Sequence, residues 1–439
     1  MAGSNPPETA AVDVVGIGFG PSNLALAVAL AEHNAGAPDG KTLSSRYFEK
    51  QPAFGWHRGM LIDDTTMQVS FLKDLVTLRD PTSEFSFLAY LHRHDRLVDF
   101  INHKMLYPSR AEFHHYLEWV AAHFEPLVSY GSEVVDVRPV EEDGAVTAFD
   151  VVARDPGSPD GPVVCRARNI VLAGGLRPHL PPQAETGERV WHNHELLGRL
   201  DALPADADPR GFVVVGAGQS AAETVEYLHR RFTGATVHAV FSRYGYAPAD
   251  DSSFVNRIFD PEAVDHFYTA PEDVKRMMLD YHRSTNYSVV DLDLIDELYR
   301  RVYQEKVHGR QRLQVHHLSR VADVTAGPDG VRATVEFLPT GERTVLAADH
   351  LVYATGYRPA AVTGALGASG AYCRTDADGR VRVRRDYRVE TDEHVRAGIY
   401  LQGPTEHTHG LASSLLSNTA VRVGEIVRSL AGAPALTEV

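Results

Sequence analysis

Two glycine turns carry the strongest chemical signal in this 439-residue sequence. The first is Val14-Val15-Gly16-Ile17-Gly18-Phe19-Gly20-Pro21-Ser22-Asn23, and the second is Val213-Val214-Val215-Gly216-Ala217-Gly218-Gln219-Ser220-Ala221-Ala222. In each, an apolar strand runs into glycines that let the backbone approach a pyrophosphate, and a helix N-terminus then offers oriented N–H groups to its charge. One such turn is weak evidence. Two in one chain imply two dinucleotides bound together, most simply a resident flavin and a visiting nicotinamide, and therefore redox chemistry.

Other residues refine each turn. Glu49 ends the strand Arg46–Glu49, where a carboxylate takes ribose hydroxyls. It lies farther from Gly16 than the usual spacing of about 20 residues, and the polar, glycine-bearing stretch Asn34–Thr42 accounts for the excess as a longer loop. Pro21 stands where a third glycine or alanine is expected. After the second turn, the strand Thr236–Phe241 leads to Arg243, whose guanidinium suits a 2′-phosphate. No acidic residue stands at that strand end, so NADPH is favoured over NADH.

The elements that must position these residues follow a nested order. Strand Ala11–Gly16, a glycine turn and an apolar helix open the first nucleotide unit. Residues 50–125 break the βαβ rhythm with turn and aromatic clusters and a helix Arg110–Phe124, an insertion of the kind that shapes a ligand pocket. Strands Ser132–Val137, Ala148–Ala153 and Asn169–Ala173 resume that unit, and Leu203–Arg210 reads as a linker. The second unit runs from Gly211. It contains a mixed segment with helical stretches Pro271–His282 and Asp291–Lys306, and strands near Gln314, Thr334 and His350–Tyr353. Strand Gly398–Gln402 and the final helix Ser417–Leu430 return to the first unit. The fold class expected is α/β, with two Rossmann-like dinucleotide-binding domains (FAD and NADPH) and a smaller substrate-binding region. The division expected is residues 1–205 with 345–439 for FAD and 206–344 for NADPH, the latter holding an inserted substrate segment at about 244–309.

Bulk properties exclude several classes. A formal charge of −15 argues against nucleic acid or an anionic membrane as partner. Cys165 and Cys373 form no CxxC pair, which removes a flavin-linked dithiol and a zinc ribbon. No signal-peptide pattern and no apolar run of about 18 residues occurs, so a cytoplasmic location is expected. His407 and His409 have no carboxylate or cysteine at convincing ligand spacing, and no metal is expected. The stretch Leu172–Pro178 lacks the Phe and His of the FxGxxxHxxxW-type motif carried by Baeyer–Villiger and related flavin monooxygenases.

Residues outside the glycine turns carry a resemblance. They are Phe54-Gly55-Trp56-His57-Arg58-Gly59-Met60, Met67-Gln68-Val69-Ser70-Phe71-Leu72-Lys73-Asp74-Leu75 and Asp80-Pro81-Thr82-Ser83 with Phe85-Ser86-Phe87-Leu88. Tyr107–Phe113, Asp251–Asn256, Thr285–Asp291, Ala354-Thr355-Gly356-Tyr357 and His409–Ser417 add to them. Together these resemble the microbial N-hydroxylating flavin monooxygenases that act on the side-chain amines of ornithine or lysine in siderophore pathways, across about Val12 to Leu430.

The resemblance implies that NADPH reduces FAD, that a C4a-hydroperoxyflavin forms with O2, and that the substrate amine attacks its distal oxygen. That amine must be neutral, which costs an alkyl ammonium roughly 3 kcal/mol near pH 8, and desolvation lowers the cost. By resemblance Lys73 pairs with the substrate α-carboxylate, Asn256 helps hold the α-amino and carboxylate end, and Asn286 contacts substrate and nicotinamide ribose. Gln68 and Arg110 match catalytic positions beside the flavin and the reactive oxygen, with Gln68 also touching the cofactor. Trp56 and His57 line the FAD cavity with Gly16, Gly18, Gly20, Pro21, Glu49, Thr355 and Gly356. Gly216, Gly218, Gln219, Ser220 and Arg243 hold NADPH. Ser414 and Ser417 close over FAD and substrate.

The implied activity is L-ornithine N5-hydroxylation for siderophores or related peptide products, in an enzyme for which family precedent suggests a homotetramer. Lysine N6-hydroxylases and diamine N-hydroxylases share the scaffold; Lys73 favours a substrate with an α-carboxylate over a diamine. A flavoprotein that oxidises NADPH without hydroxylating anything and a catalytically silent assembly partner are the other classes. The second of these is expected to lose Lys73, Asn256 or the second glycine turn, and all three are present.

Overall fold

The computed structural model describes residues 11–38, 41–154, 161–286 and 288–432. Its first sheet is built on the strand before the first glycine turn. Val12–Ile17 pairs in parallel with Ser45–Phe48 on one side and Val163–Leu172 on the other. The long strand Val163–Leu172 divides its far edge between two partners. Its first half pairs antiparallel with Ala145–Arg154, and its second half pairs in parallel with Gly398–Leu401. That last pairing brings the C-terminal part of the chain back to the first sheet, as the nested order predicts.

The second sheet has five strands, all parallel, in the order Leu313–His316, Thr236–Val240, Gly211–Val215, His350–Tyr353, Val190–His192. Two of these strands lie outside residues 206–344. Val190–His192 precedes the Pro/Asp/Ala-rich stretch, and His350–Tyr353 follows it by a long crossover, so the sheet recruits strands across both expected boundaries. The runs Gly211–Val215 and His350–Tyr353 are almost wholly buried, as parallel strands covered on both faces must be. A three-stranded antiparallel meander over Ser319–Ala348 packs beside it.

The insertion after Glu49 folds as helices Phe87–Arg93, Leu97–His103 and Arg110–Ala122 around an aromatic core. Phe87 is its hub, with Phe100, Phe113 and Tyr116 at ring centroid distances of 5.6, 5.8 and 5.4 Å. Ser86 caps the first helix by accepting from Ala89 N–H at 3.1 Å, and Ser109 caps the third by accepting from Glu112 N–H at 3.1 Å. Asp74, buried, ties the segment Phe71–Leu75 to this unit. Its carboxylate accepts from the backbone N–H groups of Val76, Thr77 and Phe87 at 2.9, 2.7 and 2.7 Å. Burial holds its pKa above the ordinary carboxylate value, against those hydrogen bonds. The neighbouring Lys73 is therefore carried on a fixed backbone.

Candidate active site

The first glycine turn separates folding demands from ligand demands. Gly18 has φ +85°, and a Cβ there would stand 2.5 Å from the Ala173 carbonyl oxygen; one on Gly16 would stand 2.3 Å from the Tyr47 ring. Those two positions must be glycine for the chain to fold. A Cβ on Gly20 would meet nothing within 4 Å, so this glycine keeps open space instead. The helix Pro21–Gly36 that follows has no side-chain cap and no acidic residue in its first turn, which leaves its positive end available to an anion.

Buried polar groups brace this turn from behind. Asn23 donates to the Gly18 carbonyl at 2.7 Å and accepts from Gln402 at 3.0 Å. Arg422 donates to Gln402 Oε1, Ser22 Oγ and Thr419 Oγ1 at 3.2, 3.2 and 3.0 Å, and to the Ser413 carbonyl. It is fully buried and makes no ion pair among the described residues, so its charge lies beside the same helix N-terminus. Glu49 is buried too, accepting from Phe19 N–H at 2.7 Å and Gln51 N–H at 2.8 Å.

Trp56 and His57 meet edge-to-face with ring centroids 4.8 Å apart, and Tyr357 meets His57 likewise at 6.1 Å. His57 takes φ 51° at the start of a short 3-10 turn. Burial pushes the Tyr357 phenol up to about 12. Thr355 donates to the His179 carbonyl, and the Gly356 carbonyl accepts from His179 N–H at 2.9 Å. Gly356, at φ +84°, has nothing within 4 Å of a built Cβ. An uncapped helix end, an open glycine, a guanidinium with no counter-charge among the described residues and an edge-to-face aromatic cluster fit a flavin dinucleotide.

The second turn is built alike. Gly216 has φ +149°, with the Ala354 carbonyl oxygen 2.2 Å from a built Cβ, and the helix Gln219–Arg231 starts with no side-chain cap and no acidic first turn. The Gln219 side chain is fully committed. Its Nε2 donates to Glu223 Oε1 at 3.1 Å and Asp291 Oδ2 at 2.8 Å, and its Oε1 accepts from Asp291 N–H at 2.8 Å. Only its backbone can serve a phosphate. Ser220 is half-buried in the first helical turn. Arg243 is exposed, and its guanidinium donates to the Ser288 carbonyl at 3.0 Å.

Two expected catalytic residues, Gln68 and Arg110, meet this second unit. Gln68 donates to Asp291 Oδ1 at 2.9 Å. Arg110 forms a two-pronged ion pair with Glu223, at 3.0 and 2.8 Å, and donates to the Met60 carbonyl at 3.0 Å. The Arg110 guanidinium is thus engaged by a buried carboxylate of the second glycine helix. Burial and the nearby Glu223 charge raise the pKa of Asp291, against its hydrogen bonds from Gln68 and Gln219.

Lys73 is half-buried, and its ammonium makes no ion pair among the described residues. Asn256 lies in the short turn Val255–Phe259 and donates to the Asp251 carbonyl at 2.7 Å. That turn packs against Leu411–Ser414 and against the helix Glu272–Asn286, whose last residue is Asn286. Ser417 is buried in the next turn, Leu416–Asn418. The side chains of Asn286 and Ser414 lie outside the described residues. His407 and His409 turn ring nitrogens to the carbonyls of Val381 and Arg385 at 2.8 and 3.2 Å.

Sequence reasoning did not single out Glu223, Asp291, Gln402 or Arg422. Asp291 looks like a helix cap, Glu223 like a surface helix residue, and Arg422 like one polar position in an amphipathic final helix. Their partners are remote in the chain: 113 residues separate Arg110 from Glu223, and 223 separate Gln68 from Asp291.

Comparisons with known proteins follow the same outline. A family model described as L-lysine 6-monooxygenase/L-ornithine 5-monooxygenase matches residues 10–359. The L-ornithine N(5)-monooxygenase of Burkholderia cepacia is 42% identical over 427 residues, covering 96% of this chain and 95% of that protein. Among solved structures, the ornithine N-hydroxylase of Kutzneria sp. 744, with reduced FAD, NADP+ and L-ornithine, superposes with a TM-score of 0.90 at 45% identity, covering 96% of this chain and 99% of its own. The L-lysine 6-monooxygenase of Pseudomonas syringae gives 0.82 at 32% identity, covering 95% and 99%.

Proposed function

The chain belongs to the L-lysine 6-monooxygenase/L-ornithine 5-monooxygenase family, and from that premise we propose that it hydroxylates the side-chain amine of L-ornithine at N5, using FAD, NADPH and O2. FAD, once reduced by NADPH, supplies the oxygen activation. The chain's own residues bind, orient and shield. Gly16, Gly18, Gly20, Pro21, Glu49, Trp56, His57, Gln68, Thr355, Gly356 and Ser414 would hold FAD. Gly216, Gly218, Ser220 and the Gln219 backbone would take the NADPH pyrophosphate, and Arg243 its 2′-phosphate.

Lys73 carries the substrate reading. Lys73 is half-buried, its ammonium has no ion-pair partner among the described residues, and it follows the apolar Phe71 and Leu72, a setting that calls for an anion such as an α-carboxylate. Asn256, Asn286 and Ser417 complete the substrate end. The aromatic insertion excludes water, which lets the bound amine shed its proton. Identity favours ornithine over lysine, at 45% with an ornithine N-hydroxylase against 32% with a lysine monooxygenase.

The product would serve siderophores or related peptides, in a cytoplasmic homotetramer. Among the described residues no helix is long and apolar enough to cross a membrane. The units would divide near 1–205 with 345–439 for FAD and 206–344 for NADPH, the second sheet borrowing Val190–His192 and His350–Tyr353.

The test is hydroxylamine formed per NADPH consumed by the FAD-loaded protein with L-ornithine, L-lysine, putrescine and cadaverine. Tight coupling with ornithine alone is the expected outcome. Coupling with a diamine would remove Lys73 from substrate recognition. NADPH loss yielding only peroxide with every amine would overturn the hydroxylase reading.

A further inference from the structure

Asp291 occupies the N-cap position of the helix Leu292–Val307, with the non-helical backbone of a cap, φ −56° and ψ 135°. Its carbonyl accepts the first helical bond, from Ile295 N–H at 3.1 Å. An aspartate there normally turns its carboxylate onto the N–H of the second or third helical residue, and losing such a cap costs about 0.5–2 kcal/mol. This one makes no capping bond. Its two oxygens instead accept from two glutamine amides on different parts of the fold. Oδ1 takes Gln68 Nε2 at 2.9 Å, and Oδ2 takes Gln219 Nε2 at 2.8 Å. Gln68 belongs to the insertion after Glu49, and Gln219 opens the helix of the second glycine turn.

An amide whose NH2 group is held by a carboxylate cannot flip, so its carbonyl oxygen has one direction. Asp291 therefore fixes the orientation of Gln68. The backbone bond from Asp291 N–H to Gln219 Oε1 at 2.8 Å removes the remaining freedom of Gln219. We propose that Asp291 is a positioning residue that uses one carboxylate to set the flavin-side amide of Gln68 against the nicotinamide-side glycine turn. The proposal rests on the reading of Gln68 as a flavin-side residue.

Serine is the informative replacement, because it restores a helix cap but cannot reach two amides. In the full-length, FAD-loaded protein, D291S should keep its FAD content and melting temperature. N5-hydroxyornithine formed per NADPH consumed should fall about tenfold, below the roughly 100-fold that a 1 Å misplacement of a reacting group can cost. Q68A should show a comparable loss, and adding D291S to Q68A should cost nothing more, since Asp291 acts through Gln68. D291N, which keeps one acceptor oxygen, should fall between D291S and wild type.

Wild-type yield in D291S, or a loss that multiplies with that of Q68A, would overturn the proposal. So would a melting temperature lowered in both D291S and D291N, which would make Asp291 structural. Unchanged yield in Q68A would instead show that the flavin-side reading of Gln68 has failed, and would take the proposal down with it.

Discussion

Lys73 and Arg243 hold their charges in opposite ways, and substitution should separate them. Lys73 is half-buried without a counter-ion among the described residues, whereas Arg243 is exposed and donates to the Ser288 carbonyl. A charge-assisted contact is worth about 1.5–3 kcal/mol. Lys73→Ala should therefore raise the KM for L-ornithine about 10- to 100-fold and leave FAD content and melting temperature unchanged, as steady-state kinetics and flavin absorbance would report. Arg243→Ala should raise the KM for NADPH by about tenfold or more and leave that for NADH nearly unchanged; equal effects on both would remove Arg243 from the 2′-phosphate. Lys73 was legible in the sequence through its apolar neighbours Phe71, Leu72 and Leu75 together with the resemblance of its segment. Glu223 and Asp291 were not, because each looks ordinary in its own helix and gains meaning only from a partner more than a hundred residues away.

The glycine turn is the element on which folding and cofactor binding can be pulled apart. Alanine at Gly18 meets both a positive φ and a backbone oxygen 2.5 Å from its Cβ, and neither can yield cheaply. Alanine at Gly20 fits the backbone, at φ −86°, and meets no protein atom. Gly18→Ala should therefore give little folded protein. Gly20→Ala should fold with a normal circular dichroism spectrum yet carry substoichiometric FAD; full flavin content would mean that the open space at Gly20 is not the cofactor's. Both turns, both following helices and the C-terminal return strand could be read from apolar runs ending in glycine. The sheet borders were harder. Val190–His192 is three residues long and carries no strand periodicity, and its place is set by the edge that His350–Tyr353 offers.

For the whole molecule, buried histidines should set how stability responds to acid. Burial depresses the pKa of His192, His238 and His350 to about 4 and that of His409 to about 3, whereas an unfolded histidine titrates near 6.5. Between those values the unfolded chain binds protons that the native chain refuses. Their contribution is therefore fully present above about pH 6.5 and is lost as pH falls toward 4. By pH 5 each site would account for at most about 2 kcal/mol. Asp74 and Asp291, whose pKa values burial raises, act in the opposite direction, but only as pH nears the carboxylate range. His350 offers the cleanest control. Its ring is stacked on Trp191 at 4.2 Å and on Phe212 at 5.9 Å, and its Nδ1 has no hydrogen-bond partner among the described residues. Phenylalanine keeps that stack and removes the proton site. His350→Phe should match or exceed wild-type stability at pH 8 and lose less of it by pH 5, in denaturant titrations run at both values. Parallel losses in the two proteins would mean that His350 takes up its proton without unfolding, and that the acid sensitivity comes from the other buried histidines.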